Sequence, residues 1–211
     1  MELKKLFMVI IVVSLPLLIL LGTARQVAFD EDFYRENMGI DDESAMHDVM
    51  DYLSNDKVNL ESDFNQKEME HMKDVKLVMN ILWAVYFILL IITVIIMLIF
   101  VSRYKDFDKI FGNYLLYGGI ATFGFLILLG LFALISFDLF FDSFHKLFFA
   151  SGTWTFSMDD LLIRMFPYSF FQSAVKRIFT LSFVKGFFIM FFGIILKPAH
   201  KKPWVNKKDN S

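Results

Sequence analysis

The sequence predicts a mainly α-helical integral membrane protein, with four transmembrane helices and a small extracytoplasmic cap. Three observations carry this. Of the 211 residues 56% are hydrophobic, and the mean hydropathy is +0.53, too apolar for an ordinary soluble domain. The apolar residues gather into four long runs, which a large soluble core would not show. Lysines and arginines collect at the ends of those runs, where they set the orientation of a membrane chain.

The first span lies within 1–23, its apolar stretch running from Leu6 to Gly22 behind Lys4 and Lys5. Gly22-Thr23-Ala24 loosely resembles a signal cleavage site, but the stretch is longer than a signal core, so a retained helix is expected. Pro16 removes one backbone hydrogen bond and should kink it. Residues 24–76 form the first part of the cap. There Asp41-Asp42-Glu43 suits a helix N-terminus. Ala45, Met46, Val49, Met50 and Leu53 line one face of that helix, and Ser54-Asn55-Asp56 ends it. A second helix starts near Asn65 and runs without a break into the second span, 77–102. His71, Val75, Val78 and Leu82 share one of its faces, and Trp83 and Tyr86 fall at interface depth. A loop at 103–109 carries Arg103, Lys105 and Lys109, and the third span follows at 110–136. A spanning helix needs about 20 residues, which the second and third spans exceed.

The second part of the cap, 137–177, opens Phe137-Asp138-Leu139-Phe140-Phe141-Asp142-Ser143-Phe144-His145. As a helix it places Asp138, Asp142 and His145 on one face and phenylalanines elsewhere, which suits the lipid boundary. Gly152-Thr153-Trp154-Thr155-Phe156 alternates like a short strand. A lone strand must find a partner, and Gln26-Val27-Ala28-Phe29 is the candidate for a two-stranded β element. Asp159 to Arg164 reads as a helix with Asp160 and Arg164 paired at i,i+4. Pro167 fits the first turn of a long last helix, whose apolar part, 178–196, is the fourth span. The tail 197–211 is polar, basic and expected to be disordered. Lys4, Lys5, the 103–109 loop and the lysines from Lys197 onward put both termini in the cytoplasm and both cap segments outside. Lys73 and Lys76, at the outer end of the second span, run against that rule.

A net charge of −2 gives no sign of nucleic-acid binding. No zinc-ribbon, P-loop, Rossmann or HExxH pattern occurs. The absence of cysteine excludes disulfides, a thiol nucleophile, thiolate metal ligands and acylation of a cysteine of this chain. No internal repeat is visible and the first three spans hold almost no ionisable residues, which argues against a transporter.

Function is best argued from two of the four histidines. His71 precedes the second span and His145 follows the third, so both stand at the same outer depth. Imidazole is the side chain suited to moving protons near neutral pH. Asp74 and Asp142, each three residues from a histidine, would orient the rings as a triad carboxylate does, or be plain surface charge. His47 on the acidic helix is expected to be exposed, and His200 lies in the tail. Arg164 is either a salt-bridge partner of Asp159 and Asp160 or a ligand for a carbonyl or phosphate. Lys185, inside the fourth span, is either functional or a snorkelling residue. Trp154 and Phe156 are candidates to line an acyl-chain pocket. Two histidines and a carboxylate would suit zinc, but no helical histidine pair is present, so no metal is expected.

Glu70-His71-Met72-Lys73-Asp74-Val75, the Phe137–His145 stretch, Gly152-Thr153-Trp154 and Asp159-Asp160-Leu161-Leu162 together resemble the lipoprotein intramolecular transacylases of Gram-positive bacteria. The similarity extends over nearly the whole chain. It implies an enzyme of the bacterial cell membrane that acts on diacylglyceryl lipoproteins. The family moves the acyl chain from the glyceryl sn-2 oxygen to the free amine of the lipoprotein's N-terminal cysteine, giving a lyso-form product. It also implies that His71 and His145 are the catalytic residues. Donor and acceptor belong to one substrate molecule, so no cofactor or nucleophilic side chain is required. The sequence assigns base and acid to the two histidines in either order, and it leaves oligomeric state open. The competing reading is a non-enzymatic four-helix scaffold or accessory protein.

Overall fold

A computed structural model describes residues 2–104 and 107–196. The described residues form eight helices: α1 (Glu2–Ala28), α2 (Glu31–Asn37), α3 (Glu43–Ser54), α4 (Gln66–Arg103), α5 (Phe107–Ile135), α6 (Phe137–Phe148), α7 (Leu161–Met165) and α8 (Tyr168–Leu196). Four carry stretches long and apolar enough to cross a membrane: Lys5–Ala28, Gln66–Arg103, Ile110–Ile135 and Tyr168–Leu196. α5 packs along α8, and α1 packs against α4, α5 and α8. α4 touches the bundle chiefly through α1, and Leu77, Ile81, Val85, Ile88 and Leu98 on it are exposed. With lipid as the solvent such a surface carries no penalty. Lys105 and the tail from Lys197, His200 included, lie outside the described residues.

Local sequence signals account for most helix ends. Asp30 accepts from Phe33 N–H at 3.1 Å at the start of α2, and Asp42 from Ala45 N–H at 3.0 Å at the start of α3. Asn55 ends α3 in the left-handed region, at φ 74°, where asparagine is tolerated better than most residues. Asn65 and Glu68 form a reciprocal capping box that opens α4. At 38 residues α4 is about 57 Å long, against about 30 Å of hydrocarbon. Its first turns therefore rise clear of the membrane. α1 continues as one helix through Pro16, and α8 starts at Tyr168 directly behind Pro167.

The cap gathers α2, α3, α6, α7 and the first turns of α4 and α8. Phe33, Tyr34, Met46, Val49, Phe64, Met72, Leu162, Met165 and Phe170 fill its core. Buried Asp48 holds the 57–62 turn from below. Its carboxylate accepts from the Glu61 and Ser62 N–H groups at 2.8 Å each, from the Ser62 hydroxyl at 2.9 Å and from Lys57 Nζ at 3.3 Å. Burial works to raise its pKa, but these donors outweigh it and hold the carboxyl below its usual range.

Two expectations are corrected. No strand occurs among the described residues. Gln26–Ala28 is the last turn of α1, its backbone committed to that helix. Residues 150–154 form turns, with Thr153 N–H and Oγ1 both donating to Ala150 O at 3.3 and 2.9 Å and Gly152 at φ 85°. The alternation at 152–156 follows a turn, not a pleat. The Asp160–Arg164 pair does not form either. Asp160 accepts from Ser157 N–H at 2.7 Å and from Asn65 Nδ2 at 3.0 Å, and Arg164 is exposed.

Gly193 shows how closely α5 and α8 approach. A Cβ there would stand 2.4 Å from the backbone nitrogen of Leu116, so only glycine fits this crossing. Gly193→Leu is expected to force the helices apart at a cost of about 1–3 kcal/mol or more. It should lower the thermal unfolding midpoint in detergent, and an unchanged midpoint would contradict the packing described.

Candidate active site

α4 carries His71 between charged turns (Lys67, Glu68 and Glu70 before it, Lys73, Asp74 and Lys76 after it), ahead of the uninterrupted apolar run that begins at Leu77. α6 carries His145 in its last turn. Ser136 caps α6 through Leu139 N–H at 3.3 Å. Tyr168, at the start of α8, hydrogen-bonds through its hydroxyl to Asp138 in the first turn of α6. The Tyr168 ring also meets Phe137 and Phe141 edge-on at 5.1 and 5.8 Å. α6 is thereby fixed against α8.

These supports bring the two histidines together across 74 residues of chain. Their ring centroids are 6.4 Å apart and their planes 19° from parallel. Both are buried, at 7% and 8% exposure. Phe149 lies 4.9 Å from the His71 ring and 5.5 Å from the His145 ring. Phe156 meets His71 at 5.3 Å. Phe141 and Trp154 meet His145 at 4.1 and 4.8 Å. The pair therefore stands in an aromatic box at the base of the cap.

Burial sets the protonation state. It disfavours the charged imidazolium and pushes His71 down to about 4 from 6.5, the nearby His145 ring and Lys67 adding to the shift and Asp74 opposing it. His145 is also held below 6.5 by burial, against the pull of the Phe141 carbonyl and Asp142. Both rings are neutral at pH 7. His145 Nδ1 stands 2.7 Å from Phe141 O. A carbonyl oxygen only accepts, so Nδ1 carries the proton and Nε2 keeps its lone pair. His71 Nδ1 is buried with no hydrogen-bond partner.

The other candidate residues divide. Trp154 joins the box. Asp74 acts on His71 through its charge, with no hydrogen bond to the ring among the described contacts. Asp142 is bound by Lys146 as an i,i+4 ion pair and likewise reaches His145 only through space. Lys185 stands apart: its Nζ donates to Thr23 Oγ1 at 3.0 Å and Gln26 Oε1 at 2.9 Å, tying α8 to α1. His47 is half-buried on α3. Among the described residues no three His, Asp or Glu side chains converge as metal ligands would.

Glu68 was not singled out from the sequence. It is 1% exposed, one turn before His71. One carboxylate oxygen accepts from Asn65 N–H at 2.8 Å, and the other from the N–H of Leu162, in the first turn of α7, at 2.6 Å. Asn65-x-x-Glu68 is a legible capping box, but its second use, at α7, is tertiary.

A family model described as lipoprotein intramolecular transacylase Lit matches residues 2–171. An uncharacterized protein of Aquifex aeolicus (strain VF5) is 29% identical over 134 residues, or 64% of this chain and 58% of that protein. The chain thus matches less than two thirds of that relative's length. Among solved structures, the membrane integral lipoprotein intramolecular transacylase Lit from Bacillus cereus superposes with a TM-score of 0.78 at 22% identity, over 92% of this chain and 96% of that one. A form of the same protein with one histidine changed to alanine gives 0.75 at 21%, over 92% and 94%. These likenesses establish the shared four-helix, capped fold.

Proposed function

The chain belongs to the lipoprotein intramolecular transacylase family, and from that premise we propose that it moves the sn-2 acyl chain of a diacylglyceryl lipoprotein to the amine of the lipoprotein's N-terminal cysteine. The observation that carries this reading is the pair of neutral, buried histidines set 6.4 Å apart in an aromatic box. The box lies at the outer interface of a bacterial cell membrane, with both termini in the cytoplasm, as the placement of lysine and arginine favours.

The arrangement of the two rings supports the following chemistry. An α-amine with a pKa of about 7.7–8.0 must lose a proton to attack an ester. Solvent takes that proton, and as the neutral amine nitrogen bonds to the ester carbon His145 Nε2, with its lone pair free, takes one of its remaining N–H protons. His71, through its unpartnered Nδ1, accepts a hydrogen bond from the attacking amine and aims it. The carbon–glyceryl oxygen bond then breaks, and the imidazolium of His145 returns its proton to that oxygen. From the neutral amine onward nothing enters or leaves, so the product is an isomer of the substrate. Holding both groups in one site is a large entropic contribution, and the phenylalanines exclude the water that would hydrolyse the ester.

The test is to incubate the purified protein with a diacylated lipopeptide. The expected product has unchanged mass, one amide-linked acyl chain resistant to hydroxylamine and one ester-linked chain. A well-folded protein that leaves the lipopeptide unaltered would favour the scaffold reading.

The depressed histidine pKa values give a pH signature. With His71 pushed down to about 4 and His145 held below 6.5, the acid limb of kcat/KM should follow the substrate amine, its midpoint at about 7.7–8.0. Activity rises with pH through that value. A limb centred at 6.5 instead would mean that an ordinary, solvated histidine controls the rate.

A further inference from the structure

Trp154 Nε1, like His71 Nδ1, is buried at the site with no hydrogen-bond partner. Such atoms are uncommon in folded proteins and call for a ligand or a role. An indole N–H neither accepts nor titrates in the ordinary range. It can only donate. The Trp154 ring lies 4.8 Å from His145, so an oxygen receiving its hydrogen bond would stand beside the imidazole that handles the proton.

The segment bearing Trp154 is held in place from α4. Lys67 Nζ donates to Thr155 O at 2.5 Å, Asn65 Nδ2 to Asp160 at 3.0 Å, and Leu162 N–H to Glu68 at 2.6 Å. All three partners belong to the N-cap and first turn of α4, directly ahead of His71. The neighbouring donors are occupied: Thr153 Oγ1 bonds Ala150 O and Thr155 Oγ1 bonds Gly152 O. The remaining buried unpaired donors, Trp83, Thr93 and Ser182, lie within the apolar runs of α4 and α8, away from the box. A donor fixed before the reaction, in a water-excluded site, is what a developing oxyanion needs.

We infer that Trp154 is a catalytic residue, its indole N–H donating to the ester carbonyl oxygen as the tetrahedral centre forms. The inference rests on the transacylase reading. As the amine nitrogen bonds to the ester carbon, the carbonyl π pair moves onto oxygen and is met by the indole N–H, with no proton transferred. When the pair returns, the carbon–glyceryl oxygen bond breaks and that oxygen takes its proton from His145. Trp154 ends as it began. This differs from an acyl-pocket wall, which would serve binding alone.

The experiment replaces Trp154 by 3-benzothienylalanine, which keeps ring size and shape and exchanges the N–H for sulfur, with Trp154→Phe as a second variant. Initial rates of lipopeptide conversion are measured against substrate concentration and pH, with unfolding curves for each protein. The expected result is a kcat lower by about 10²–10³-fold, the loss typical of one oxyanion donor. KM and the acid limb of kcat/KM should stay at the wild-type position. A near wild-type kcat in the benzothienyl protein would overturn the inference, as would a raised KM with kcat intact, which marks a pocket wall. A shifted acid limb would also overturn it, by showing that Trp154 acts through His145. An inactive wild type would sink the transacylase reading itself, an outcome separable from all of these.

Discussion

His145→Ala is expected to lower lipopeptide conversion by about 10²–10⁴-fold, the usual contribution of one positioned acid–base group, while the unfolding midpoint stays close to wild type. His145 supplies both proton movements in the proposed reaction, and its Nδ1–H bond to Phe141 O fixes the tautomer that leaves Nε2 basic. Alanine removes both. His71→Ala is expected to cost about 10²-fold, because a misaimed nucleophile loses that much. The fold should tolerate both changes, since a buried ring with an unpaired nitrogen is not what holds the cap together. His145→Gln is the informative companion: its amide can meet Phe141 O but cannot carry a proton, so it should be as inactive as alanine. Near wild-type turnover in His145→Ala would remove that ring from the mechanism.

Glu68→Ala is expected to be the most destabilising single change in the cap. Its carboxylate meets Asn65 N–H and Leu162 N–H at 1% exposure. Alanine strands both, and a buried unmet donor costs about 1–3 kcal/mol. Only the Leu162 donor is fully buried, so with about 0.5–1.5 kcal/mol for the part-buried bond to Asn65 the loss is about 1.5–4.5 kcal/mol, large against a typical total of about 5–15 kcal/mol. Glu68→Gln keeps the shape and one acceptor oxygen, so it should fall between. Turnover should fall with stability, because the same contacts hold the segment bearing Trp154 and Phe156 over the histidines. An unfolding midpoint for Glu68→Ala equal to wild type would show that water or a backbone shift meets those two donors.

The sequence made some of this legible and hid the rest for identifiable reasons. Four apolar runs and the caps at Asp42, Asn65 and Pro167 are local signals, and they located helices because hydrophobic period and capping act within one turn. The strand expected at 152–156 failed because five alternating residues do not separate a pleat from successive turns, and Gly152, at φ 85°, tips the balance to a turn. The i,i+3 spacing of Asp142 to His145 was real on the helix face. Lys146, at i+4 from Asp142, took the carboxylate instead. Lys185 had no visible partner because Thr23 and Gln26 lie about 160 residues away. The meeting of His71 with His145, and the second grip of Glu68 on α7, are likewise tertiary. No spacing rule within a single helix could place them.

The central claim is that one substrate molecule supplies both the acyl chain and the amine that receives it. A crossover experiment tests this most directly. Two diacylated lipopeptides are mixed with the purified protein, one with deuterated acyl chains on an ordinary peptide and one with ordinary chains on a peptide labelled with ¹³C. The products are then weighed by mass spectrometry. Intramolecular transfer predicts only the two parental masses, each with a new amide-linked chain. Products that pair a deuterated chain with the ¹³C peptide, or free fatty acid carrying oxygen from ¹⁸O-water, would contradict the account.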